Sequence, residues 1–163
     1  LHSEVRRQRQ MCIRDRSRRE KRVDGIQCFY GDEQIDSSLM DADIVVLLLP
    51  DTPLTQNILN QHTLNLLKRG AFVLNPGRGP LIDDDALLAA LETGQIEHAT
   101  LDVFRIEPLP QNHQYWSNNK VTVIPHKASE TRPKTASQVI AMNIERAENG
   151  QELLYLVDRE NGY

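Results

Sequence analysis

From Asp41 onward the apolar and polar positions alternate between two kinds of segment. Asp43-Ile-Val-Val-Leu-Leu-Leu-Pro50 is a continuous apolar run closed by proline, the pattern of a strand buried on both faces of a parallel sheet. Thr55 to Lys68 places Ile58, Leu59, Leu64 and Leu67 at helical spacing. Ala71 to Leu74 is a second strand. Asp83 or Asp84 can cap a helix running to Thr93, with Leu87, Leu88 and Leu91 inward and Gly94 at the left-handed C-terminal position. His98 to Val103 and Val121 to Ile124 read as further strands. Pro133 fits the first turn of a last helix, which Gly150 ends. Strands alternating with helices imply parallel crossovers and a doubly wound α/β sheet. Ligands of such sheets sit beyond the carboxyl ends of the strands. Pro50, Asn75 to Arg78, Asp102 and His126 all fall at those ends.

Composition adds bounds. A chain of 163 residues, 39% hydrophobic and 26% charged, suffices for one soluble domain with a core. The longest apolar run, Ile44 to Leu49, is too short to span a bilayer. No charged-then-apolar leader is present, and Cys12 and Cys28 lack metal-ligand spacing, so a reduced, cytoplasmic setting without a metal site is expected. The net charge of -4 is uneven: residues 1–22 carry nine Lys or Arg against three acids, and residues 23–163 carry ten against twenty. Residues 1–16 hold five arginines with little apolar periodicity. They read as a basic arm, disordered or artefactual, since Met11 to Arg16 resembles translated sequencing-adaptor sequence. Nucleic-acid binding by that arm is the minor alternative to a solvated end.

Three strings carry candidate chemistry. In Asn75-Pro76-Gly77-Arg78-Gly79 a guanidinium sits between two glycines, where it can grip a carboxylate through two parallel hydrogen bonds. A surface arginine in a turn is the plainer reading. His126 leaves a strand through Pro125 and can deliver a proton to a forming alkoxide. Glu107, before Pro108, would stabilise the imidazolium and orient the ring if it lay beside it. Asp102 ends an apolar strand, either accepting from a nicotinamide carboxamide or capping a turn. His62, His98 and His113 have no such setting, and Trp116 reads as packing. No acid sits at Ser17 or Arg18 to bind a ribose 2′-hydroxyl, which favours NADP over NAD. No G-x-G-x-x-G occurs, so a phosphate-cradling turn is expected upstream of residue 1.

On these strings, with Leu48-Leu49-Pro50-Asp51-Thr52-Pro53, Leu101-Asp102-Val103-Phe104, Glu107-Pro108-Leu109-Pro110, Thr131-Arg132-Pro133 and the ending Val157 to Tyr163, residues 17–163 resemble the C-terminal portion of a D-isomer-specific 2-hydroxyacid dehydrogenase, nearest to its glyoxylate/hydroxypyruvate reductase branch. The resemblance implies a Rossmann-like, incomplete nucleotide-binding domain over residues 17–150, with residues 151–163 a tail that would return to a missing substrate domain. It implies Arg78 as carboxylate binder, Glu107 as partner of His126, His126 as acid/base and Asp102 near the nicotinamide. Leu49, Pro50, Asn75, Pro76 and Gly77 would lie along the cofactor. Pro76-Gly77 replaces a more usual apolar-alanine pair, and Lys127 stands where a small apolar residue is usual. The implied reaction is NADPH-dependent reduction of a small 2-oxo acid, with a homodimeric parent and little activity in this chain alone. A non-catalytic nucleotide-sensing module is the alternative.

Overall fold

The computed structural model describes residues 12–159. It contains, in order, β1 (Arg14–Ser17), β2 (Gln27–Tyr30), α1 (Ile35–Leu39), β3 (Ile44–Val46), α2 (Gln61–Leu66), β4 (Ala71–Asn75), α3 (Asp84–Thr93), β5 (Ile96–Leu101), β6 (Val121–Val123) and α4 (Pro133–Glu148). Single helical turns at Gly79–Leu81 and Gln114–Trp116 interrupt the loops after β4 and β5. The parallel pair β1-β2 stands beside a parallel four-stranded sheet of order β3-β4-β5-β6.

Local chemistry fixes where α2 and α3 start. Asp83 caps α3 by accepting from the Ala86 N–H at 3.1 Å, and Gly94 closes it in the left-handed conformation at φ 71°. The backbone reverses there without a Cβ penalty, so β5 begins at Ile96, two residues earlier than the apolar pattern predicts. The helix expected from Thr55 is shorter, because Asn60 and Thr63 form a reciprocal cap that starts it at Gln61. The preceding segment is extended instead: Leu59 donates to Leu81 O at 3.0 Å and accepts from the Asp83 N–H at 2.9 Å. Leu59 still enters the core, at 1% exposure.

The core lies between one sheet face and the helices. Val45, Leu47, Ala71, Val73, Ala99 and Leu101 point into it and meet Leu64, Leu67, Leu87 and Leu91. Consecutive parallel strands laid side by side in one direction, with right-handed crossovers, put their connecting helices on the same face. The opposite face is open among the described residues: Ile44, Val46, Leu48 and Phe72 are 43%, 48%, 75% and 44% exposed. The run around Ile44 to Leu49 is therefore covered on one face rather than two.

The sequence reading ends the basic arm at residue 16, and β1 crosses that boundary. Arg14 to Ser17 pair with Gln27 to Tyr30, Arg14 donates to Met40 O at 2.7 Å, and Arg16 lies 2.6 Å from the Asp32 carboxylate. Polar side chains satisfied by those partners replace the missing apolar pattern. Residues 1–11 lie outside the described residues. The C-terminal segment folds back along α4, where the Leu154 N–H donates to the Asn143 side chain at 2.8 Å. No helix among the described residues is long and apolar enough to cross a membrane.

Candidate active site

Three loops leave the carboxyl ends of the adjacent strands β4, β5 and β6 and bring their polar groups to one edge. The loop after β4 is built by Asn75, 1% exposed. Its side-chain amide donates to Arg78 O at 2.9 Å, and its side-chain oxygen accepts from the Gly77 N–H at 3.1 Å. Asn75 thus shapes the turn that presents Arg78. Gly77 is pressed against the end of β3: a Cβ there would lie 2.8 Å from Leu47 O and 3.3 Å from Leu49 O. Leu49, Pro50, Pro76 and Gly77 are gathered by that approach. Pro50 O accepts from the Thr55 hydroxyl at 2.7 Å, fixing the exit from β3. The exposed Arg78 side chain donates to its neighbour's carbonyl, Gly77 O, at 2.7 Å.

The loop after β5 carries Glu107. One carboxylate oxygen accepts from the Phe104 N–H at 2.9 Å and the other meets His126 Nδ1 at 2.8 Å. Burial pushes the Glu107 pKa up. The Phe104 N–H, the His126 ring and the charges of His126 and Arg78 outweigh it and hold the carboxyl below its ordinary value. Arg78, Glu107 and His126 therefore share one electrostatic neighbourhood. An ionised carboxylate only accepts, so Nδ1 carries the proton of that bond.

His126 is held at φ 51°, a left-handed conformation uncommon for a residue with a Cβ. Asp102 enforces it. Its backbone oxygen accepts from the His126 N–H at 3.0 Å. Its carboxylate, 3% exposed, accepts from the N–H groups of Lys127 at 2.7 Å and Ala128 at 2.9 Å. Of the two roles open to Asp102, the turn cap is thus observed. Lys127 joins that turn through its backbone, a contact its unusual side chain does not affect.

At the other sheet, Ser17 closes β1 and its hydroxyl donates to Arg19 O at 2.9 Å. Arg18 follows in the exposed turn. Between β1 and β3 lies a cleft of about 910 Å³, lined by Ile13, Ser17, Leu39, Val46 and Leu48 among others. His62 pairs with Asp36 at 3.0 Å and His98 with the Thr122 hydroxyl at 2.8 Å. Trp116 is 55% exposed and donates to Pro110 O at 2.9 Å.

A second cluster escaped the sequence reading. The buried Tyr115 donates to the Asp84 carboxylate at 2.8 Å. Burial first, then the Asp84 charge and hydrogen bond, drive its pKa far up, so Tyr115 stays a neutral donor. Arg105 Nε lies 3.8 Å and His113 Nε2 4.0 Å from the same carboxylate. These partners are 21 to 31 positions from Asp84, and no local spacing announces them.

The chain is similar to proteins of one family. Residues 8–128 match the family described as D-isomer specific 2-hydroxyacid dehydrogenase, NAD binding domain. The glyoxylate/hydroxypyruvate reductase A proteins of Serratia proteamaculans and Yersinia enterocolitica are 45% and 40% identical to this chain over 151 residues. The match takes in 93% of this chain but 48% of each relative, so the chain spans about half their length. A Xanthobacter autotrophicus D-isomer specific 2-hydroxyacid dehydrogenase solved with NADPH and MES superposes with a TM-score of 0.90 at 44% identity, over 93% of this chain and 63% of that one. The NADPH-dependent glyoxylate/hydroxypyruvate reductase of Sinorhizobium meliloti, solved with NADP and sulfate, gives 0.88 at 30%, over 94% and 50%.

Proposed function

From the premise that the chain belongs to the D-isomer specific 2-hydroxyacid dehydrogenases through their NAD-binding domain, we propose that it forms the cofactor side of an NADPH-dependent reductase of small 2-oxo acids, glyoxylate and hydroxypyruvate first among them. The observation that carries this reading is the Glu107–His126 contact of 2.8 Å within the field of Arg78. A carboxylate binder, a proton donor and the donor's partner meet at the carboxyl edge of a parallel sheet, where a dinucleotide fits.

Arg78 grips the substrate carboxylate and draws the keto oxygen toward its positive charge. His126 holds a proton on Nε2 and gives it to that oxygen as negative charge develops there. Glu107 fixes the ring through Nδ1 and offsets the imidazolium charge. When bound, the dinucleotide supplies the hydride. Leu49, Pro50, Asn75, Pro76, Gly77 and Asp102 would hold its nicotinamide half, and Ser17 with Arg18 its adenosine ribose. The basic surroundings of Ser17, and the NADPH and NADP bound by the Xanthobacter and Sinorhizobium structures, favour the phosphorylated dinucleotide. In this reading the cleft between β1 and β3 is the place of one further strand and its glycine turn. A homodimer and a cytoplasmic setting belong to the same proposal.

The test joins this chain to the N-terminal half of the Serratia relative and follows NADPH oxidation with glyoxylate or hydroxypyruvate. Turnover that falls about 10²- to 10⁴-fold on replacing His126 supports the reading. Turnover unchanged by that replacement refutes it.

A further inference from the structure

The Arg78 loop and the Glu107 loop arise from different strands, yet their two functional groups must keep a fixed distance for one substrate to span them. Two contacts set that distance. At the first, Gly79 lies flat against the Phe104–Arg105 peptide: a Cβ on Gly79 would fall 1.9 Å from Phe104 C, 2.1 Å from Phe104 O and 2.4 Å from Arg105 N. At the second, the Arg105 guanidinium reaches back over this contact. It donates to the Asn57 side chain and to Ile82 O, with Pro80 O at 3.4 Å. None of these acceptors belongs to the Arg105 loop. Asn57 donates through its backbone to Pro80 O at 2.9 Å, so it is tied to the stretch of Pro80 and Ile82 that follows Arg78.

We propose that Arg105 is a positioning residue, whose guanidinium locks the Glu107–His126 pair in register with Arg78. The proposal rests on the functional reading above and names a further residue for it. The path of action is short. Arg105 follows Phe104, whose N–H holds one Glu107 oxygen at 2.9 Å, and the other oxygen holds His126 at 2.8 Å. The Phe104–Arg105 peptide is joined to that N–H through the Phe104 Cα, so its displacement shifts Phe104, weakens the first bond and frees the carboxylate to swing from the imidazole. Asp84, 3.8 Å from Arg105 Nε, steadies the guanidinium from the N-terminus of α3. Nη2 alone meets the three acceptors while Nε faces Asp84, so the guanidinium fork reaches both sides at once, which the single nitrogen of an ammonium does not.

Two measurements test this. In the chain itself, the Glu107 carboxyl is titrated by carbon-13 NMR in wild type, Arg105→Ala and Arg105→Lys, with retained amide dispersion as the folding control. If the fork matters, both variants move the Glu107 midpoint up toward the ordinary carboxylate value, although lysine restores the charge. If lysine restores the wild-type midpoint, or neither variant moves it, the proposal fails. In the fusion with the Serratia half, both variants should lower kcat about 10- to 100-fold while the KM for NADPH holds. A KM effect without a kcat effect overturns the positioning role. A wild-type fusion that reduces no 2-oxo acid sinks the functional reading instead, and the Glu107 titration still decides the lock.

Discussion

At the scale of single residues the site combines a strained backbone with a satisfied side chain. His126 sits at φ 51°, where asparagine is tolerated and alanine is not. The His126→Asn and His126→Ala variants should be equally inactive in the fusion, with His126→Asn the more stable by about 1 kcal/mol in urea unfolding. A stability order reversed between the two would show that the turn does not impose the conformation. Glu107 gives a pH prediction. Its folded pKa lies below the ordinary value, so its contribution to stability is present above the unfolded pKa and is lost as pH falls through the folded one. The melting-temperature gap between wild type and Glu107→Gln should therefore close on the acid side, below the usual carboxylate range. A gap that widens there contradicts the assignment. The placement of Arg78, Glu107 and His126 at one sheet edge was readable because each follows an apolar strand, and strand ends of a parallel sheet converge. Arg105 was not readable: its acceptors are 23 to 48 positions away, and one of them, Asn57, lies on a segment the pattern cast as helix.

Elements show why that segment misled. Ile58, Leu59, Leu64 and Leu67 satisfy helical spacing, but an extended stretch followed by a short helix buries the same set. Periodicity alone does not separate the two. The Asn60–Thr63 cap decides, and Asn60→Ala should cost about 1 kcal/mol, measured by thermal unfolding, together with lost amide-exchange protection at His62 and Thr63. Unchanged protection would mean that packing of Leu64, not the cap, starts α2. β1 misled for the opposite reason. Its Arg-Asp-Arg-Ser sequence has no apolar face to read, and its order comes from pairing with β2 and from arginine contacts to backbone carbonyls. By contrast, α3 was legible with its cap, its buried leucines and its terminal glycine, since all of these signals are local.

For the molecule as a whole, the open sheet face sets behaviour in solution. Ile44, Val46, Leu48 and Phe72 form an apolar strip continuous with the cleft beside β1, and strips of this kind promote association. Val46→Thr with Phe72→Thr should reduce dye binding and self-association of the chain alone. In the fusion, if the added half packs on that face, the same pair should lower the melting temperature, each lost burial being worth about 1–3 kcal/mol. An unchanged melting temperature in the fusion would mean the face stays bare there. The order β3-β4-β5-β6 has a consequence for synthesis. Each strand finds its partner in the strand made just before it, so a chain emerging from the ribosome extends the sheet at its growing edge and never waits for a later segment to fill a gap. His126, which follows the last of these strands, meets Asp102 and Glu107 only after both have been made.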